Sequence, residues 1–236
     1  MPDAPLPFGP WWEVYRRLVG GGDDFPVVPA ALAMSHILQG GDTWPDVEPR
    51  LRDLEQVARR RSCKDPAIAA HGIVGLLVEE GIGGNTRHYE DPANSYLDRV
   101  LERSCGLPIA LSVLAVHLAR HIGVPLRGIG FPGHFMVGLH LDGPNPLVLD
   151  PFNRGRMLDG DELDTLLTHA TGHAHPPQAW RRWLRPASGR EILMRMLRNL
   201  VIHLHHAEQP EHATTAERLL ELTATPQAGS GPSPAD

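Results

Sequence analysis

The sequence predicts an α+β fold in which a helix packs on a small antiparallel sheet, with helical additions at both ends. Three observations predict it. Apolar residues recur at helical spacing up to residue 122, the period shortens over residues 126–152, and helical spacing returns after Asp159. A chain of 236 residues, 42% hydrophobic and 21% charged, is close to the globular norm and long enough for one sizeable core.

The elements follow in order. Residues 1–10 are rich in proline and are expected to be loose. A short helix is expected over 11–19, ended by Gly20, Gly21 and Gly22, and a second over 28–38. Residues 46–61 place Val47, Leu51, Leu54, Val57 and Ala58 on one face and charges on the other, which is amphipathic helix. Residues 67–80 continue in that manner and stop at Gly81. The run from Gly81 to Ser95 is dense in Gly, Asn and Asp-Pro and reads as loop. Asn94 or Ser95 can then cap a helix that runs to about Arg103. Cys105, Gly106 and Leu107 form a break. Pro108 suits the first turn of the next helix, where its missing N–H is not needed. That helix ends at Gly123, Val124 and Pro125.

Residues 126–131, 134–141 and 147–152 are short apolar runs between Gly/Pro turns, and read as three strands. Helices follow after Asp159, over 188–206 and over 214–222, the last two able to form a helical hairpin. The tail from Pro226, rich in Gly, Ser and Pro, is expected to be disordered. The resulting division is 1–27, a loose segment with a short helix; 28–90, a helical portion; 91–186, the core; 187–223, the hairpin; and 224–236, the tail.

Charge and composition exclude several functions. A net charge of −6 gives no basic stripe for nucleic acid and no attraction to an anionic membrane. Cys63 and Cys105 cannot build a disulfide framework, which suits a reducing cytoplasm. The start M-P-D-A-P-L-P-F-G-P has neither the basic nor the apolar region of a secretory signal. Fourteen histidines invite a metal site, but His117 and His121 lack the Glu of H-E-x-x-H. With His203, His205 and His206 they read as solvent-edge residues. No metal and no cofactor is expected.

The chemistry-bearing residues lie in one stretch and come in the order Cys, His, Asp. His134 and Asp150 stand sixteen apart around Asp142, in a turn-rich D-G-P-N run. A hairpin symmetric about Asp142 would set them opposite each other on one face, with Phe135, Val137, Leu139, Leu147 and Leu149 on the other. A carboxylate beside an imidazole fixes its tautomer and raises its basicity. Alternatively, Asp150 braces the D-P-F-N turn and His134 is a satisfied surface residue. Cys105 stands before a helix start, where dipole and free N–H groups favour thiolate, but about three residues too early. It too has a bland reading, as a small thiol in a connection between two helices.

The patterns G-N-x-x-x-Y-x-D-P-x-N-S-x-L-x-x-V-L-E-R, G-L-P-I-x-L-S-V-L, G-x-P-G-H-F-x-V and D-P-F-N-x-G resemble those of the SirB family. This is the bacterial branch of the transglutaminase-like superfamily. The resemblance runs from about Val28 to Leu222. It implies a papain-like core over 91–186, with a Cys opening the core helix and His134 and Asp150 following on adjacent strands. The nucleophile position then falls near Pro108 or Ile109, where no thiol stands. The C-terminal helices also stop short of the several helical repeats that the resemblance implies.

Two functions of different class follow. One is a protein- or peptide-binding module with a degenerate Cys-His-Asp site, its groove lined by Asn94, Gly106, Pro108, Phe135 and Asn153 around Cys105, His134 and Asp150. The other is a cysteine-dependent acyl transferase or peptidase, with Cys105 as nucleophile, His134 as base and Asp150 orienting the imidazole. A purely structural role for the pair is the third possibility.

Overall fold

The computed structural model describes residues 9–225. The expected loose N-terminus, up to residue 8, and the expected disordered tail from Pro226 lie outside the described residues. Four helices come first: α1 (Gly9–Gly20), α2 (Val27–Gln39), α3 (Trp44–Arg60) and α4 (Pro66–Glu79). The amphipathic α3 buries Val47, Leu51, Leu54 and Ala58, as its spacing predicts. The Asp65 side chain caps α4, accepting from the backbone N–H groups of Ala67 and Ile68. In contrast, α2 is buried from Ala30 to Leu38 on every side, as a helix with no polar face must be.

Residues 81–95 are not all loop. Gly83 and Gly84 form β1 (Gly83–Gly84), which pairs in parallel with β2 (Cys105–Gly106). A two-residue strand has no alternation to read. The intervening helix is α5 (Leu97–Arg103), whose N-cap position is Tyr96 rather than Asn94 or Ser95, and whose first N–H, of Leu97, donates to Ser35 Oγ of α2. Asn94 closes and Ser95 follows a 3-10 turn over Pro92–Asn94, and the Asn94 side chain is committed elsewhere. The core helix α6 (Pro108–His121) opens at the proline, and buries every residue from Pro108 to Ala115.

The main sheet has four antiparallel strands in the order β3 (Arg127–Ile129), β4 (Met136–Leu139), β5 (Leu147–Asp150) and β6 (Arg156–Met157). The first three are the expected strands, trimmed. The fourth is again too short to leave a pattern. Phe135, Val137, Leu139 and Leu149 face the large core shared with the helices, as their alternation predicts. The opposite face is also covered. Ile129, Met136 and Val148 pack there against Leu163 and Leu167 of α7 (Gly160–Thr171), and against Trp180 and Leu184.

Helices α8 (Gly189–His206) and α9 (Pro210–Ala224) form the expected hairpin, although α9 begins four residues before the expected Thr214 because Pro210 supplies its first turn. Ser188 and Glu191 make a capping box at the start of α8. The buried Arg190 ties the hairpin to the N-terminal helices. It reaches the carboxylate of Asp23 and the carbonyls of Val19, Gly22 and Thr223. One apolar core therefore extends from Tyr15 to Leu219.

Candidate functional site

The site is built where β5 ends. After Asp150 the chain turns through Pro151, and the backbone N–H groups of Phe152 and Asn153 donate to Asp150 Oδ1 at 3.0 and 3.2 Å. Asn153 Nδ2 donates to Asp150 Oδ2 at 2.7 Å. His134 Nε2 lies 2.8 Å from that same oxygen. Asp150 is only 2% exposed, so its charge depends on these four donors. Burial pushes its pKa up, but the bonds from His134 and Asn153 outweigh this and hold it below the ordinary carboxylate value. An ionised carboxylate only accepts, so Nε2 carries the proton in this bond, and in the neutral form of the ring Nδ1 is the unprotonated nitrogen. Nδ1 makes no hydrogen bond among the described residues.

The hairpin is not centred where the sequence places it. Val137 pairs with Leu149 and Leu139 with Leu147, which centres the turn on Gly143 rather than Asp142. The same register, extended by one pair, sets Asp150 level with Met136, two residues along from His134. The shift is even, so both side chains keep a common face and meet on a diagonal. His134 itself precedes β4, in a tight turn where its N–H donates to Phe131 O at 3.2 Å. Arg195 of α8 fixes that turn from outside. Its two terminal nitrogens donate to Phe131 O at 3.1 Å and to His134 O at 2.8 Å.

An aromatic wall continues from the imidazole. Phe152 meets His134 edge-on at 6.2 Å, Tyr89 meets Phe152 at 5.9 Å, and His203 meets Tyr89 at 6.2 Å. The loop carrying Tyr89 is held by Asn94, which is wholly buried. Its Nδ2 donates to the carbonyls of His88 and Tyr89, while its Oδ1 accepts from Asn85. Its carbonyl accepts from Leu107 N–H, tying the loop to the start of α6. Asn94 thus braces the wall and has no polar atom turned outward. Gly106, Pro108 and Phe135 are buried as well, and Asn153 is exposed.

Cys105 is half-buried and free. Its backbone stands beside Gly83 in the β1–β2 pair, and no hydrogen bond joins its thiol to His134 among the described residues. The opening turn of α6 offers Pro108, Ile109, Ala110 and Leu111, all apolar and buried. The first hydroxyl on α6 is Ser112, also buried, 3.5 Å from Phe135 O. The His134–Asp150 part of the expected constellation is hydrogen-bonded, and no hydrogen bond ties Cys105 to it among the described residues.

Sequence reasoning missed Arg195, Tyr89 and His203. Arg195 had a signal, being a charge one turn beyond Ile192 on the apolar side of α8. His203 is buried rather than at the solvent edge, and its Nδ1 has no partner. Burial lowers its pKa, which keeps it neutral. His117 and His121 do not stand free either, since both approach Glu55 of α3, at 2.7 and 3.7 Å. Among the described residues no group of three or more metal-ligating side chains is placed to hold an ion. None of the described helices is long and apolar enough to cross a membrane.

Residues 46–198 match the model of the family described as the transglutaminase-like superfamily, Transglut_core2. The chain belongs to that superfamily. The match takes in the whole sheet, α6 and the His134–Asp150 pair. Among similar proteins is the UPF0162 protein of Xylella fastidiosa strain Temecula1. It is 44% identical over 149 residues, 62% of this chain and 53% of that protein. The UPF0162 protein of Pseudomonas aeruginosa is 32% identical over 206 residues, 82% of this chain and 73% of the relative. Human F-box only protein 21 is 31% identical over 126 residues, 50% of this chain but 19% of that protein. The chain spans about half the length of the Xylella relatives. No solved structure matches.

Proposed function

We propose that this transglutaminase-like chain is a SirB-type protein with a papain-like core, which binds a protein or peptide segment beside the His134–Asp150 pair without forming a covalent intermediate. One observation carries the reading. The pair is complete, with the Asp150 carboxyl held below the ordinary carboxylate range, while the opening turn of α6 holds no thiol. In the neutral ring the Nδ1 lone pair is an acceptor for a peptide N–H, and Phe152 and Tyr89 offer ring edges to an apolar side chain. The recurrence of the segment within the much longer F-box only protein 21 supports a portable module. Two free thiols suit the cytoplasm as its place of action.

The competing reading makes Cys105 the nucleophile of an acyl transferase or peptidase. It requires the Cys105 thiol to engage Nδ1, with which it makes no hydrogen bond among the described residues. Backbone bonds from Gly83 N–H to Ser104 O and from Asn85 N–H to Gly106 O hold the connection around Cys105 in place.

A displayed random-peptide library, selected on wild type and counter-selected on His134→Ala, tests the proposal. Enriched peptides that bind wild type and lose affinity for both His134→Ala and Asp150→Asn support it. Amide hydrolysis or acyl transfer that is abolished by Cys105→Ala would overturn it.

A further inference from the structure

A second cavity lies away from the imidazole of His134. It opens between the start of α2, one side of α6, strand β3 and the start of α8, with a volume of about 400 Å³. That is within the range of small-molecule sites. Its walls are mixed, with Val28, Val113, Val116, Leu126, Phe135 and Ile192 supplying an apolar part beside polar groups. Ser112 is on the wall too. Its hydroxyl is fully buried and its hydrogen bond to Phe135 O is long, at 3.5 Å, which leaves it able to turn toward a bound group.

The mouth is basic. Arg120, near the end of α6, and Arg127, opening β3, both line it and both are exposed. Neither guanidinium makes an ion pair or hydrogen bond among the described residues. Arg50, Arg61, Arg99, Arg103 and Arg185 each hold a carboxylate, as an acidic chain allows. Arginines without a carboxylate partner also occur elsewhere, as at Arg17, Arg59, Arg60 and Arg87, but Arg120 and Arg127 share the mouth of one cavity. Asp24 is the acid on the rim, and His117 is engaged by Glu55. The balance at the mouth is two guanidinium groups against one carboxylate.

We infer that this cavity is a binding site for a small amphipathic acid, with its apolar tail against the Val28–Phe135–Ile192 walls and its anionic group at Arg120 and Arg127. Apolar walls supply affinity without direction, and a guanidinium pair at one end sets the polarity of the ligand. The inference does not depend on what the His134–Asp150 pair does.

Octanoate and its uncharged counterpart 1-octanol are the probes, titrated calorimetrically into the full chain. Octanoate should bind saturably, and the double variant Arg120→Gln/Arg127→Gln should weaken it by about tenfold or more. The same variant should leave 1-octanol binding unchanged. Val116→Trp, which places an indole in the cavity, should remove binding of both. Because Arg120 and Arg127 are exposed, the double variant keeps the test decisive if the tryptophan variant fails to fold. Equal octanoate affinity in wild type and the double variant, or no saturable binding below about 10 mM, would overturn the inference.

Discussion

His134 Nε2 and Asp150 Oδ2 lie 2.8 Å apart although the hairpin register offsets the two residues by two positions. The contact forms because Asp150 is fixed from its other side. Phe152 and Asn153 supply three of its four donors through the D-P-F-N turn. The imidazole is the last donor to a carboxylate that local sequence has already oriented.

Removing the carboxylate should be costly. Asp150→Ala leaves the Phe152 and Asn153 N–H groups and the Asn153 side-chain amide without their acceptor. A loss of about 2–4 kcal/mol is expected from urea unfolding. Asp150→Asn keeps an acceptor oxygen and should cost less. Equal stability of Asp150→Ala and wild type would mean the turn does not depend on the carboxylate.

The same group sets an acid dependence. Its folded pKa lies below the unfolded value, so its stabilising contribution is present above the unfolded pKa of about 3.9 and is lost as pH falls through the folded one. The stability gap between wild type and Asp150→Asn should be level down to about pH 5 and then shrink toward about pH 3. Urea midpoints measured across that range test it. A gap that widens on acidification has the wrong sign.

Gly84 is required by its neighbour across the site. A Cβ at this position would come within 2.6 Å of the Phe152 ring and 2.7 Å of the Phe152 carbonyl. Because a backbone atom is among those struck, Gly84→Ala should destabilise by about 1–3 kcal/mol and displace Phe152 from His134. Thermal unfolding, with the His134 ring signals in NMR, reports both effects. An unchanged melting temperature would contradict the packing described.

Arg195 should act as a positioning residue. Arg195→Ala removes the donors to Phe131 O and His134 O, for an expected loss of about 1–2 kcal/mol. It should also weaken selected peptides beyond what a matched destabilising substitution elsewhere on α8 causes. If the two variants weaken binding alike, Arg195 contributes stability only.

Much of this was legible in the sequence. Period and punctuation gave the helices from Trp11 to Ile122, the three longer strands and the apolar alternation of Phe135, Val137 and Leu139. The pair was legible because parity survives an even register shift, even though the turn centre did not. What escaped was either very short or held by distant partners. Two-residue strands such as Cys105–Gly106 carry no alternation, and Asn94 resembles a helix cap until His88, Tyr89 and Asn85 claim its side chain. Arg195 and His203 joined the site through the return of α8, a contact that no local pattern encodes.

The central claim is that the His134–Asp150 pair works without a thiol. Alkylation of the two cysteines by iodoacetamide near neutral pH, followed by peptide mass, tests it most directly. Cys63 is exposed and Cys105 half-buried. Cys105 should therefore react no faster than Cys63, and His134→Ala should leave its rate unchanged. A Cys105 that reacts about tenfold faster than Cys63, and slows in His134→Ala, would contradict the account.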